Sequence, residues 1–222
     1  MNLEQLIELV RLRTDDQIVP PKVTDEQLAG FATEGEREAA ERSRLLFDDA
    51  PAPHTTINVL AGQATYTLHP SVFFVDAAEF TPASTTRARA LDLRGMDWIR
   101  GHCDWRRRRE RPCALAEDGR HTVRLWPEPS TAGTLQLSVY RYPLAPLVDL
   151  SDVPEIEPAH HEALAEWMLY KYFMVPDEEI EDPDRAAIAL GVFETRFGAR
   201  VDADILRKHR ERRRVTTRYG GL

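Results

Sequence analysis

The stretch from Arg120 to Pro143, RHTVRLWPEPSTAGTLQLSVYRYP, alternates apolar and polar side chains on both sides of a Pro/Gly turn. Val123 and Leu125 alternate with Thr122 and Arg124; Leu135, Leu137 and Val139 alternate with Gln136 and Ser138. A period of two is what a sheet with one buried and one wet face requires. Pro127, Pro129 and Gly133 fall between the runs, where a missing N–H or a positive φ does no harm. The pattern predicts two strands paired as a hairpin. Long helical patterns lie before and after this block, so a β-rich module is set into a helical frame.

The frame begins with Leu3, Leu6, Ile7 and Val10 at helical spacing, stopped by Val19-Pro20-Pro21. Thr24 followed by Gln27 is a capping box, which opens a second helix. Its packing stripe reads Leu28, Ala32, Gly35, Ala39, Ser43, Leu46, mostly small residues that let another helix approach closely. Glu34, Arg37, Glu38, Glu41 and Arg44 charge the opposite face. After a Pro/Ala linker, Thr55–Leu60 and Gln63–Leu68 flank Ala61-Gly62 as a second hairpin. Val72–Phe80 reads as a strand, Ala88–Leu93 as a weaker one, Gly95–Arg100 as a helical turn and Pro112–Glu117 as another strand. Leu144 to Glu157 is a loop with four acids. Pro158 suits the first turn of a third helix that ends near Met174, with Leu164, Trp167, Met168 and Tyr172 inward. Asp182-Pro183 caps a fourth helix, whose stripe is Ala186, Leu190, Phe193, Phe197 and Val201. Continued to about Arg212, that helix is roughly 45 Å long.

The fold class is therefore α+β: an N-terminal helix pair and two C-terminal helices form a bundle, with an inserted antiparallel β-sandwich or barrel and a basic C-terminal tail. The domain boundaries predicted are 1–50 with 151–212 for the bundle, 51–150 for the β-rich insertion and 213–222 for the extended tail.

Charge is unevenly spread. The net of -8 divides into +6 over residues 207–222 and -14 over the rest. An acidic body with a basic tail implies that the tail has its own partner. No apolar run reaches the roughly 18 residues a membrane span needs. MNLEQLIELVRLR carries carboxylates where a signal peptide is apolar. The expectation is a soluble protein made in a reducing cytoplasm, with Cys103 and Cys113 unpaired and no disulfide framework.

Catalytic patterns fail on inspection. His160-His161-Glu162 is followed by Ala165 where HExxH needs His. His102, Cys103, Cys113 and His121 lack zinc-knuckle spacing and enclose an arginine run. No serine sits in a G-x-S-x-G elbow and no glycine-rich phosphate cradle exists. The reading is a protein that is not an enzyme, with no cofactor or metal.

Two basic segments remain. Trp105–Arg111 holds Arg106, Arg107, Arg108 and Arg109, which serve as a solvated strand edge, an ion-pairing face for a neighbouring subunit, or a grip on phosphate. The tail holds Arg207, Lys208, Arg210, Arg212, Arg213, Arg214, Arg218 and Tyr219, which fray in solvent, dock in an acidic groove or bind nucleic acid.

The order of elements resembles the head-to-tail connector (adaptor) proteins of tailed bacteriophages. NLEQLIELVRLRTDD and TDEQLAGFATEGEREAAERSRLL are similar to that family's opening helices. INVLAGQATYTL and RPCALAEDGRHTVRLWPEPSTAGTLQLSVYRYP resemble its β-module, and EIEPAHHEALAEWMLYKYFMVPDEE resembles its return to the bundle. Ala29-Gly30-Phe31-Ala32-Thr33 departs from the Asn-Glu-Ala type run expected there. The resemblance implies a structural virion protein at the head–tail interface, assembled in the host bacterial cytoplasm. It implies a ring of twelve copies under the portal, docked by its tail, with a downstream tail, stopper or nozzle protein below and viral DNA passing through. Within that reading Arg207–Leu222 contact the portal, and Arg106–Arg109 with Glu34, Glu38 and Glu41 contact neighbouring subunits. The competing reading is a nucleic-acid-binding module that uses segments 106–111 and 207–218.

Overall fold

The computed structural model describes residues 1–119 and 121–200. They form two compact units, Met1–Leu46 with Arg141–Arg200 and Phe47–Tyr140.

Helix α1 (Leu3–Thr14) starts at a capping box that the periodicity alone did not reveal. The Asn2 side chain accepts from the Gln5 N–H at 3.0 Å, and the Gln5 side chain accepts from the Asn2 N–H at 3.1 Å. Leu3, Leu6, Ile7 and Val10 are all buried on one face. Helix α2 (Asp25–Ser43) starts at the expected Thr24–Gln27 box. Its stripe is buried from Leu28 to Ala40, and Glu36 is buried with it; Ser43 is exposed.

The β unit then runs β1 (Phe47–Asp48), β2 (Thr56–Val59), β3 (Thr65–Thr67), β4 (Val72–Pro82), β5 (Arg89–Ala90) and β6 (Asp92–Arg94). Helix α3 (Met96–Arg100) follows, then β7 (Arg109–Glu110), β8 (Ala114–Glu117), β9 (Thr122–Trp126), β10 (Glu128–Pro129) and β11 (Gly133–Arg141). One sheet has the order β1-β11-β4-β5, with β2 also on β11; the second has the order β3-β9-β8-β6. One apolar core joins their inner faces: Val75, Phe80, Leu135, Leu137 and Val139 from the first, Tyr66, Leu115, Val123 and Leu125 from the second. This is a sandwich, not a closed barrel. Two short ladders, β6–β8 and β7–β10, run parallel.

Both predicted hairpins are corrected. β9 and β11 have the expected alternation, but β9 pairs with β3 and β8, whereas β11 pairs with β1, β2 and β4. Their apolar faces meet across the core instead of side by side. Pro127 and Pro129 supply no N–H to a hairpin ladder, and β10 between them pairs with β7. Likewise β2 pairs with β11 and β3 with β9, so Ala61-Gly62 carries the chain from one sheet to the other. Gly62 does have the positive φ expected, +78°, and its N–H donates to the Pro129 carbonyl at 2.8 Å. The weak strand at Ala88–Leu93 is two strands, β5 and β6, in different sheets.

After Arg141 a loop leads to a 3-10 turn (Pro158–His160), helix α4 (His161–Phe173) and helix α5 (Pro183–Phe197). α4 packs on α1, α2 and α5. Leu164, Trp167, Met168 and Tyr172 are buried, as their spacing predicts. The small stripe of α2 receives Trp167: a Cβ on Gly35 would stand 3.0 Å from the Trp167 Cβ. Trp167, Phe193 and Phe197 meet in series as tilted rings, at 5.0 and 4.7 Å. α5 begins as expected, with Asp182 accepting from the Arg185 N–H and Pro183 at the first turn. It ends sooner than the stripe implied. Gly198, at φ +87°, closes it with an N–H to the Glu194 carbonyl. The helix is therefore roughly 22 Å long, and Val201 lies outside the described residues.

Candidate functional site

The tail positions Arg207, Lys208, Arg210, Arg212, Arg213, Arg214, Arg218 and Tyr219 lie outside the described residues. The other candidate surfaces fall in the two units and are taken in turn.

In the β unit, α3, the turns after it and the end of β9 place three tryptophans among arginines. Trp98, 39% exposed, meets Trp126 edge-on at 5.3 Å. The His102 ring lies 4.2 Å from Trp126 and its Nδ1 is 3.0 Å from the Trp98 carbonyl. Arg94 lies over Trp98 at 5.3 Å. Arg106 and Arg124 both stand against Trp105, at 4.6 and 5.0 Å. The ladder of β7 with β10 takes in Arg109 and Glu110, while Arg106 and Arg107 lie in the turn before it. Arg108 forks onto Glu110 at 3.1 and 3.0 Å, which raises its pKa further above neutrality. Arg109 Nε contacts Glu128 at 2.6 Å. Two of the four arginines are thus answered by carboxylates. Arg106 and Arg107 are exposed and have no carboxylate partner among the described residues.

In the helical unit, the acidic face of α2 is tied to its own chain. Glu34 pairs with Lys171 at 3.0 Å, Glu38 with Arg42 at 2.9 Å, and Glu41 accepts from the Tyr142 hydroxyl at 2.9 Å. Burial, then this hydrogen bond, pushes the Tyr142 phenol up. Arg37 covers the Tyr142 ring at 4.1 Å.

The residues after Tyr142 form an irregular loop that is pinned along its length. Asp152 accepts the Val148 and Asp149 N–H groups at 2.9 Å each, which holds its carboxyl below the usual range. The Leu3 and Glu4 N–H groups, free at the start of α1, donate to the carbonyls of Asp152 and Leu150. Thr33 and Leu147 exchange two hydrogen bonds. Arg141 grips Glu155 bidentately at 2.9 and 2.5 Å. Buried Glu36 accepts the Glu155 and Ile156 N–H groups. The loop nonetheless turns Leu144, Val148, Leu150 and Val153 outward, at 47 to 68% exposure.

Sequence reasoning passed over Glu36, Arg141 and the grouping of Trp98, His102 and Trp126. For Glu36 a signal existed: it stands four residues from both Ala32 and Ala40, on the packing face. His102, Cys103, Cys113 and His121 do not assemble; among the described residues no three His, Cys, Asp or Glu side chains form a group that could hold a metal. Cys103 is exposed, Cys113 half-buried, and burial pushes the Cys113 thiol up. Among the described residues no helix is long and apolar enough to cross a membrane.

With these contact surfaces in view, the family comparison is decisive. The family described as SU10 adaptor protein has a sequence model that matches residues 1–219. The chain belongs to the SU10 adaptor protein family. The match spans both units, so the family assignment covers the bundle and the β insertion alike. The protein is a phage adaptor, a structural component of the virion. A search of curated proteins finds no match.

Proposed function

We propose that this SU10 adaptor forms a ring beneath the portal, joins the portal to the next tail component and lets the genome pass through. The observation that carries the reading is the family match over residues 1–219. The charge distribution supports it: a body of -14 keeps DNA from sticking, and a tail of +6 suits one docking site. In this reading the bundle and the tail at 213–222 flank the β-rich insertion, whose bounds fall at Phe47 and Tyr140 rather than at 51 and 150. Arg207–Leu222 carry portal docking, and Arg106–Arg109 face a neighbouring subunit. Glu34, Glu38 and Glu41 shape that contact while engaged to their own chain.

The nucleic-acid alternative loses ground on a specific observation: Arg108 and Arg109 are already answered by Glu110 and Glu128. The experiment is the particle mass of the full-length protein mixed with the portal of its own virus. About a dozen added copies, lost when 207–222 are deleted while the melting curve stays unchanged, is the expected result. A deletion that binds the portal as wild type does would reject tail docking.

A further inference from the structure

Two faces of this chain complement one another in charge and in apolar content. Residues 144–157 contain four acids and no Lys or Arg, a net of -4. Asp149 and Glu157 are exposed there, beside the outward Leu144, Val148, Leu150 and Val153. Residues 98–111 contain six arginines against Asp104 and Glu110, a net of +4. Arg106 and Arg107 are exposed there, beside Trp98 and Trp105.

We propose that the pinned loop of one copy docks on the arginine–tryptophan face of the next copy. The proposal rests on the ring reading above and names the contact that closes the ring. Among the described residues, Asp149 and Glu157 on one face and Arg106 and Arg107 on the other are exposed. The faces differ in residue content, so pairing is head-to-tail. A contact of that kind generates a ring when the rotation closes, whereas a self-complementary patch makes a two-fold dimer. The loop suits this role because Asp152, Thr33, Glu36 and Arg141 already hold it. Little ordering entropy is then lost on docking. Trp and Arg are the side chains that most often anchor interfaces. The aliphatic side chains of the loop meet the exposed part of Trp98, and Asp149 and Glu157 meet Arg106 and Arg107.

The test uses full-length protein on the portal of its own virus, with particle mass as the readout. Arg106→Glu with Arg107→Glu is one variant, Asp149→Arg with Glu157→Arg the second, and all four changes together the third. The first two are expected to lower ring occupancy at least tenfold, and the third to restore it to within twofold of wild type. Unchanged melting curves confirm that exposed sites were altered without loss of fold. If wild type forms rings and the first two variants form them equally well, this interface is wrong and the ring stands. If those variants assemble normally but fail to capture the next tail protein, the faces belong to that partner and the proposal is overturned. Loss without restoration in the third also overturns the pairing. If wild type adds to the portal only as single copies, the ring reading itself fails.

Discussion

Glu36 is a carboxyl group at 1% exposure, and its ionisation is coupled to folding. Burial pushes its pKa from 4.5 up to about 7. The Glu155 and Ile156 N–H groups and the Arg141 charge pull it back, while the Glu155 charge adds to the push. Between those two pH values the folded chain keeps a proton that the unfolded chain releases. Its contribution is fully present below about pH 4.5 and is lost as pH rises through about 7. Glu36→Gln keeps a carbonyl acceptor for the same N–H groups and removes the charge. Relative to wild type, the Gln variant should gain about 2–3 kcal/mol between pH 4.5 and pH 8, read from urea unfolding at each pH. An unchanged difference would show that Glu36 does not titrate in this window. The place of Glu36 on the α2 packing face was legible from its spacing to Ala32 and Ala40. Its partners were not, because Glu155 and Ile156 lie about 120 residues away and no local pattern reports such a contact.

Elements were legible where their signals are local. The Thr24–Gln27 box and the Asp182-Pro183 start rest on side chains that reach donors three residues away, so sequence spacing suffices. Thr24→Ala removes the acceptor for the Gln27 N–H and should cost about 1 kcal/mol, seen as a lower denaturation midpoint with an unchanged slope. The end of α5 was misplaced because the apolar period continues to Val201, yet Gly198 offers a backbone stop before it. Strand pairing was the least legible feature. Alternation says which side chains point inward, and β9 and β11 obey it. It says nothing about which neighbour takes the N–H groups, and here the neighbours lie in different sheets. The tryptophan grouping was hidden for the same reason, since Trp98 and Trp126 meet only through the fold.

At the scale of the molecule there are separate apolar cores, one built from α1, α2, α4 and α5 and others within the β unit. Damage to one should leave the other folded. Gly133 tests this, because a Cβ there would stand 2.3 Å from the Thr81 carbonyl oxygen and 2.8 Å from Phe80. A backbone oxygen cannot swing aside as a side chain can. Gly133→Ala should cost the β unit about 2–3 kcal/mol. Hydrogen exchange read by peptide should speed up in β4 and β11 and stay slow in α4. Equal acceleration in both would mean that the units unfold together. The four-helix frame was readable from periodicity. The exact seam was not, because it falls within β11, whose alternation runs unbroken to Arg141.

That seam has a consequence of its own. The chain enters the β unit at Phe47 and leaves at Tyr140, and these two residues face each other in an antiparallel ladder. Just outside, the Arg141 N–H donates to the Leu46 carbonyl at 3.0 Å. Two strands that depart side by side make a port with a fixed gauge. Any insert whose termini are adjacent antiparallel strands can be spliced there, and a tight turn can seal it. The β unit is in this sense a cartridge, joined to the helical frame through two adjacent strand ends.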